Sequence, residues 1–290
     1  MMDMLHKVFQ QLELTPSTCE LIRSKAGVSV FRLEVSGEKL ILKMFENPED
    51  RREIANYRLL GELRIPTLPM RGYTEEALLL PDVTASEEYR LGTETDLQDM
   101  QVAKVLAKWY RRLHDTGRQY LTRNSVSLYD ETDVITVENM VRAAEVTDTI
   151  DNPLWETVKK DFDDMKKKIA KLPRTLTYND FYWDNLIVSK DKTEAFMFDY
   201  NLMGMGMAYG DVRNVISAMG KEAAKAFCDA YGVDGLDEEK LADDFLAHMV
   251  TLCAGSQREV FPAWAGESLE KLKSGKLLKD YEQWMRSYND

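Results

Sequence analysis

Apolar and polar residues alternate along much of the first third of the chain. The stretch VSVFRLEVSGEKLILKMF, residues 28–45, alternates on both sides of Ser36-Gly37-Glu38. This pattern is typical of two antiparallel strands joined by a tight turn. In residues 48–63 the apolar positions recur at helical spacing and acidic residues stand in the first turn, which predicts a helix. The short apolar run ALLLP, residues 77–81, predicts a further strand.

Helical patterns replace the strand patterns after Asp82. One helix is predicted to begin at Thr93 or Thr95 and to end at Gly117, because glycine commonly follows the last turn of a helix. A second is predicted in NPLWETVKKDFDDMKKKIAKLP, where the final proline ends it. Almost all of the chain beyond Asp211 also has a helical pattern.

This order of elements predicts an α+β fold with two lobes. The first, residues 1–82, contains a small antiparallel sheet and one helix. The second, residues 83–290, is mostly helical and contains a hairpin near residue 190. The chain of 290 residues is long enough for such an arrangement with a sizeable core.

Composition narrows the classes of function and the compartment. No apolar run approaches the roughly 20 residues that span a bilayer, and the N-terminus has no signal-peptide pattern, so we expect a cytoplasmic protein that does not insert into membranes. Three widely separated cysteines indicate reduced, packed thiols. A net charge of −12 argues against nucleic-acid binding, which requires a basic surface.

The segment RTLTYNDFYWDNLIVSKDKTEAFMFDYN, residues 174–201, combines short strand patterns with three polar residues at their ends. The polar SKDK sequence predicts a hairpin turn, and a hairpin brings its outer ends together. Asn185 and Asp199 should therefore approach one another, with Asp180 in the loop just before them. Amide and carboxylate oxygens suit Mg²⁺, and a neighbouring carboxylate can orient a hydroxyl and accept its proton.

This segment resembles the catalytic segment of the aminoglycoside phosphotransferase and choline kinase superfamily. The resemblance rests on Tyr178-Asn179-Asp180, on Asn185, and on Phe198-Asp199, with LAKWYRRLHDTG and YGDVRN as further similar stretches. It implies a bilobal protein-kinase-like fold that uses ATP and Mg²⁺, and it leaves GTP open as the phosphate donor. Asp180 would be the catalytic residue, and Asn185 and Asp199 the metal ligands.

The resemblance also assigns residues in the N-terminal lobe. Lys43 lies inside the apolar run LILKMF, where a buried ammonium needs a partner, and Glu53 on the following helix is the expected partner. A turn at Gly27, Val28 and Ser29 would cover the phosphates. The chain passes from the first predicted lobe to the second around residues 81–83, which we call the connector. Its backbone would hold the nucleotide base through the carbonyl of Pro81, which proline retains, and the N–H of Val83.

Tyr178 is the main departure from the family pattern, which has histidine at this position. That histidine braces the loop, so we expect Tyr178 to be buried with its hydroxyl hydrogen-bonded. The glycine- and methionine-rich stretch LMGMGMAYG is interpreted as a flexible segment beside the site, since no strand and helix frame it as a dinucleotide loop.

The predicted function is a small-molecule kinase that phosphorylates a hydroxyl group. Residues 1–83 hold 11 Lys and Arg against 13 Asp and Glu, so most of the negative charge lies in the remainder. That charge suits an amine-bearing acceptor, aminoglycoside-like or choline- and ethanolamine-like, although it also suits a solubilising surface, and neutral sugars and hydroxy amino acids remain open. The alternative is a catalytically degenerate kinase-fold protein that acts as a nucleotide-binding regulatory or structural component. The sequence does not indicate an oligomeric state.

Overall fold

The computed structural model describes residues 2–287 of the chain. Its strands are β1 Thr18–Lys25, β2 Val28–Val35, β3 Glu38–Phe45, β4 Gly72–Tyr73, β5 Ala77–Pro81, β6 Tyr89–Leu91, β7 Thr175–Thr177, β8 Leu186–Ser189, β9 Ala195–Met197 and β10 Gly204–Gly206. Its α-helices are α1 Met2–Gln11, α2 Arg52–Glu62, α3 Met100–Arg123, α4 Val137–Val146, α5 Pro153–Lys160, α6 Phe162–Lys171, α7 Ala208–Ala218, α8 Lys221–Tyr231, α9 Asp237–Ser256, α10 Gly266–Lys273 and α11 Lys276–Arg286.

The chain divides into two compact units. Unit 1 consists of the described parts of Met1–Thr116, Tyr178–Met203 and Asn214–Gly232, and unit 2 of the described parts of Gly117–Thr177, Gly204–Arg213 and Val233–Asp290. The chain thus passes between the units several times. The division into residues 1–82 and 83–290 remains a prediction about lobes.

Unit 1 contains a five-stranded antiparallel sheet in the order β1-β2-β3-β5-β4. The predicted hairpin is confirmed: β2 and β3 pair from Val28 with Phe45 to Val35 with Glu38. Ser36 and Gly37 both have positive φ, as a two-residue turn of matching twist requires.

Because side chains alternate along its strands, the two faces of this sheet carry different sets of residues. On one face, Leu5 and Val8 of α1 pack against buried side chains such as Phe31, Leu33 and Leu42. The residues between them on β2 and β3, including Lys43, point to the opposite face because side chains alternate along a strand. The hydrophobic effect on the covered face therefore orients Lys43.

A three-stranded sheet in the order β6-β8-β9 also belongs to unit 1. Strands β8 and β9 pair from Leu186 with Met197 to Val188 with Ala195, which confirms the hairpin predicted around residue 190. Asn185 precedes β8 and Asp199 follows β9, so the two polar residues stand at the same end of this hairpin.

Unit 2 is mostly helical, and its core is formed by apolar side chains of α4, α5, α6, α9, α10 and α11. Phe245 and Trp284 stack at the centre with their ring centroids 5.8 Å apart. The prediction of one helix over NPLWETVKKDFDDMKKKIAKLP is wrong, because this stretch forms two helices, α5 and α6. Asp161, at φ −97° and ψ 14°, separates α5 from α6.

Strand β10 corrects the prediction that LMGMGMAYG is a flexible segment. Gly204–Gly206 pairs antiparallel with Thr175–Thr177 of β7. Gly204 lies so close to the backbone carbonyl of Tyr129 that no β-carbon would fit. The glycines therefore permit a close backbone approach. Within residues 2–287, no helix combines the length and apolar character needed to cross a membrane.

Helix α3 corrects the predicted end at Gly117, because it continues to Arg123. A β-carbon on Gly117 would lie 2.5 Å from the backbone nitrogen of Leu176 and 2.7 Å from its β-carbon. Glycine is therefore required at this position because β7 lies too close for a β-carbon, and it does not end the helix.

We predict that Gly117→Ala lowers the free energy of unfolding by about 1–3 kcal/mol, because the added methyl group overpacks against backbone that cannot rotate away. Gly61→Ala in α2 is the matched control. Nothing lies within 4 Å of its added β-carbon, so alanine should stabilise that helix by up to about 1 kcal/mol. Urea unfolding of both variants measures the difference, and equal stabilisation by the two substitutions would contradict this account of Gly117.

Candidate active site

Lys43 lies between two carboxylates. Its Nζ is 2.6 Å from Oε2 of Glu53 and 2.7 Å from Oδ1 of Asp199. β3 supplies the lysine, α2 the glutamate, and the segment after β9 the aspartate. The structure thus brings together three residues that the sequence analysis placed in separate elements.

Electrostatics explains why Lys43 stays protonated in this cluster. Burial opposes protonation of Lys43, but the carboxylates of Glu53 and Asp199 outweigh it and raise the pKa of the lysine. Burial also raises the pKa of Glu53, against the attraction of Lys43. Glu53 is 1% exposed, so removal of either partner would leave an uncompensated buried charge, which is strongly unfavourable.

Asp180 and Asn185 contact one another in the loop before β8. Nδ2 of Asn185 is 3.3 Å from both the backbone oxygen and Oδ2 of Asp180. Burial and the nearby carboxylates of Asp199 and Asp184 raise the pKa of Asp180 to about 6. A carboxylate with this pKa is ionised at neutral pH and is a better base than an ordinary aspartate.

Two residues of the site have left-handed backbone conformations. Asn179 has φ 67° and Asp199 has φ 61°, which is uncommon for residues other than glycine. Nδ2 of Asn179 donates to the backbone oxygen of Leu202 at 2.9 Å, which connects the Asp180 loop to the segment after Asp199. Strained backbone of this kind persists only where surrounding contacts maintain it.

Tyr178 is buried and braces the loop, as expected. Its hydroxyl donates to the backbone oxygen of Phe198 at 2.6 Å, the residue directly before Asp199. Its ring packs edge-on against Tyr200 and Trp109, with centroids 5.8 Å and 6.2 Å apart. The tyrosine thereby couples the Asp180 loop to the end of β9.

We predict that Tyr178→Phe lowers the free energy of unfolding by about 1–3 kcal/mol, because the Phe198 carbonyl loses its buried donor. If the protein is a kinase, kcat should also fall several-fold with little change in the KM of the acceptor, since the positioning of Asp199 is disturbed. Urea unfolding and steady-state kinetics measure both effects. Tyr73→Phe at a 46% exposed position is the control, and an equal response of the two variants would contradict the bracing role.

A pocket of about 370 Å³ is lined by Lys43, Glu53, Asn185 and Asp199, while Asp180 lies beside it through its contact with Asn185. All the lining residues belong to unit 1. They are Ile22, Arg23, Val30, Arg32, Ile41, Lys43, Glu53, Tyr57, Leu68, Leu80, Pro81, Asp82, Val83, Thr84, Leu91, Asp184, Asn185, Phe198 and Asp199. The pocket combines apolar side chains, such as those of Ile41, Leu80 and Val83, with polar groups around Lys43 and Asp199 and around the Arg32–Asp82 pair. Pockets that bind a cofactor commonly have this distribution.

Pro81, Asp82 and Val83 of the connector line the pocket. The N–H of Asp82 donates to the Lys39 carbonyl of β3 at 3.0 Å. Backbone groups alternate in direction along a strand, so the carbonyl of Pro81, the last residue of β5, points away from β3. Val83 begins a 3₁₀ turn, and the role of its N–H remains a prediction. The Pro81 carbonyl and the Val83 N–H are the two groups that the sequence analysis assigned to the nucleotide base.

The β1–β2 turn lies apart from the lining residues. Ala26 and Gly27 have positive φ and form a two-residue hairpin turn whose Gly27 carbonyl accepts from the N–H of Glu46 at 2.8 Å. The Ser29 side chain is buried on the other face of β2 from Val30 and contacts Ser24. Any contact of Gly27, Val28 and Ser29 with phosphate would thus be made by backbone, and their role remains a prediction.

The sequence analysis missed several residues of this site. Nε of Arg32 is 2.8 Å from Oδ2 of Asp82, an ion pair at the connector that alternation alone does not reveal. Asn56 and Tyr57 stand three and four residues after Glu53 and therefore share its face of α2. The sequence did contain a signal for Asn56 and Tyr57, because both are polar side chains at positions of the helix that the apolar spacing predicts to be buried.

Asn185 and Asp199 have the donor chemistry that Mg²⁺ prefers. Nδ2 of Asn185 donates to Asp180, so the amide oxygen of Asn185 is left to bind a cation. Asp199 uses Oδ1 toward Lys43, which leaves its second carboxylate oxygen. Two oxygen donors on the wall of one pocket fit a magnesium ion that takes its other ligands from water and phosphate.

The comparisons with known proteins agree with this geometry. A model of the phosphotransferase enzyme family matches residues 18–243. A search of curated proteins found no match. Among solved structures, a choline/ethanolamine kinase family protein from Mesorhizobium loti is 12% identical, with a TM-score of 0.64 and coverage of 97% of this chain and 99% of that one.

Two further solved structures are similar over nearly their whole length. A choline kinase from Streptococcus pneumoniae has a TM-score of 0.62 at 13% identity, covering 96% of this chain and 99% of its own. A putative fructosamine-3-kinase from Thermobifida fusca has a TM-score of 0.61 at 14% identity, covering 93% and 97%. At such identities these structures establish the fold, which is protein-kinase-like and α+β. The chain belongs to the phosphotransferase enzyme family.

Proposed function

We propose that the protein transfers the γ-phosphoryl group of Mg·ATP to a hydroxyl of a small, amine-bearing acceptor. One observation carries the proposal: Lys43 joins Glu53 and Asp199 in the same pocket that Asn185 lines, and Asn185 contacts Asp180. A cation for phosphate, oxygen ligands for a metal and a carboxylate base are the groups that phosphoryl transfer requires.

Each of these residues would have a separate role in the reaction. Lys43 would contact the phosphates, and Glu53 would keep its ammonium in place. Asp180 would accept the hydroxyl proton as the acceptor oxygen bonds to the γ-phosphorus and the bond to the bridging oxygen of ADP breaks. When bound, Mg²⁺ neutralises charge on the phosphate oxygens. Most of the rate gain would come from orientation and fixed charge.

Adenine fits the connector better than guanine. The Pro81 carbonyl would accept from the adenine amino group, and the Val83 N–H would donate to a ring nitrogen. Guanine offers an acceptor where adenine has the amino group, and proline has no N–H to meet it. We therefore expect ATP to be the donor, and parallel titrations with Mg·ATP and Mg·GTP would test this choice.

An amine-bearing acceptor is supported by the excess of acidic residues beyond residue 83 and by the choline, ethanolamine and fructosamine kinases named among the similar structures. The decisive experiment measures ADP release with Mg·ATP over a panel of aminoglycosides, choline, ethanolamine, amino sugars, neutral sugars and hydroxy amino acids. Choline against the neutral 3,3-dimethylbutanol, and glucosamine against glucose, isolate the contribution of the positive charge.

The outcomes separate the two candidate functions. Acceptor-dependent ADP release that favours the cationic member of each pair would support the proposal. Equal rates within each pair would contradict the preference for an amine-bearing acceptor but would leave the kinase assignment intact. Binding of Mg·ATP with no release for any acceptor would favour the degenerate nucleotide-binding protein, and failure to bind nucleotide would overturn the kinase assignment.

The raised pKa of Asp180 predicts an acidic limb in the pH profile. The carboxylate is the active form, so kcat/KM should fall as pH decreases below about 6, approaching tenfold per pH unit. Initial rates between pH 5 and 8, with protein stability checked at each pH, would measure the limb. A flat profile down to pH 5 would contradict proton acceptance by Asp180.

A further inference from the structure

Helix α2 contacts the segment after Asp199 at several points besides Glu53. Nδ2 of Asn56 donates to the backbone oxygens of Tyr200 and Met203, at 2.7 Å and 3.2 Å. Nε of Arg52 lies 2.5 Å from the backbone oxygen of Asn201. One face of a single helix therefore binds three carbonyl groups of residues 200–203, which we call the latch segment.

The latch segment needs these donors. Residues 200–203 lie outside any strand or helix, so regular secondary structure does not satisfy their carbonyl groups, and buried carbonyls require partners. Asn56 is 5% exposed, and its two amide hydrogens match its two acceptors. Neither an aspartate nor a leucine of similar size supplies those hydrogens.

The latch segment directly follows a strained residue. Asp199 has φ 61°, and holding a non-glycine residue in this region requires compensating contacts. The N–H of Tyr200 donates to the Glu53 carboxylate, and the rings of Tyr57 and Tyr200 meet edge-on with centroids 4.8 Å apart. Contacts from α2 thus surround the residue that follows Asp199.

We propose that Asn56 is a positioning residue that holds the Asp199 carboxylate in its metal-binding orientation before metal and nucleotide arrive. This inference rests on the proposed function, since it gives Asp199 the role of a metal ligand. Asn56 stands one turn from Glu53, so the same rigid helix positions both carboxylates that contact Lys43. A preorganised ligand avoids an ordering cost on binding.

The test uses Asn56→Leu and Asn56→Asp in the full-length protein. Amide hydrogen exchange of peptides covering residues 199–206 is measured without ligand, and binding of a non-hydrolysable ATP analogue is measured with Mg²⁺ and with EDTA. We expect faster exchange in this segment in both variants. We also expect at least a tenfold weaker affinity with Mg²⁺, a higher Mg²⁺ concentration for half-saturation, and a change below twofold with EDTA.

Gly117→Ala is the matched control, because it lowers stability in unit 2 without touching these contacts. It should leave the Mg²⁺ dependence and the exchange of residues 199–203 unchanged; residues 204–206 pair with β7, which Gly117 contacts, and are left out of this comparison. A purely structural role of Asn56 would instead make its variants behave like this control.

The outcomes distinguish the latch from the proposed function. Wild-type exchange, or a Mg²⁺ half-saturation within twofold of wild type in both Asn56 variants, would overturn the positioning role alone. A wild-type protein that binds no nucleotide with Mg²⁺ would overturn the proposed function, and with it the role given to Asp199.

Discussion

Asp180→Asn should reduce kcat by about 10²–10⁴-fold, the range that a positioned general base contributes. Asparagine has nearly the shape of aspartate but cannot accept the hydroxyl proton. The loop should keep its conformation, because Tyr178 bonds to the Phe198 carbonyl and Asn179 to the Leu202 carbonyl and neither contact involves the Asp180 side chain. Affinity for Mg·ATP should change less than threefold.

Single-turnover phosphate transfer and equilibrium nucleotide binding measure the two effects separately. Asp163→Asn is the charge-matched control, because this exposed residue of α6 lies in unit 2, outside the pocket-lining set. Its kcat should equal that of the wild type. If Asp180→Asn retained wild-type kcat, Asp180 could not be the proton acceptor, and a carboxylate such as Asp184 would have to be considered.

Asp199→Asn should impair both binding and catalysis. It removes the negative charge at the proposed metal site and reduces the 2.7 Å ion pair with Lys43 Nζ to a hydrogen bond with a neutral oxygen. Glu53 would then be the carboxylate left beside Lys43, and the metal would lose its anionic protein ligand. We expect Mg·ATP affinity to fall at least tenfold and kcat at least a hundredfold.

A magnesium titration distinguishes this variant from Asp180→Asn. The Mg²⁺ concentration for half-maximal nucleotide binding should rise in Asp199→Asn and stay unchanged in Asp180→Asn. Circular dichroism and urea unfolding would confirm that both proteins remain folded. An unchanged magnesium dependence in Asp199→Asn would show that the metal is bound elsewhere.

Several features of this protein follow from local sequence. The β2–β3 and β8–β9 hairpins were predicted correctly, because period-two alternation and polar turns are local properties. Asp180, Asn185 and Asp199 indicated the family before any coordinates, because their order and spacing resemble the catalytic segment of that family. The family match over residues 18–243 confirms that identification.

Helix ends and glycine-rich stretches were predicted less well. Gly117 resembles a helix end, yet α3 continues to Arg123, because the position is decided by the approach of β7. The segment Gly204–Gly206 resembles a flexible loop, yet it forms β10. In both places glycine serves a contact with a part of the chain that lies far away in the sequence.

The sequence by itself determined the α+β class and the two main hairpins, and it indicated the polar residues that we propose carry the chemistry, since these depend on spacing along the chain. Only the tertiary structure decided what the buried polar groups contact. Asn56 bonds to carbonyls 144 and 147 residues away, and Arg32 pairs with Asp82 across 50 residues. A period along the chain indicates which face a residue occupies, whereas its partner depends on how distant segments fold together.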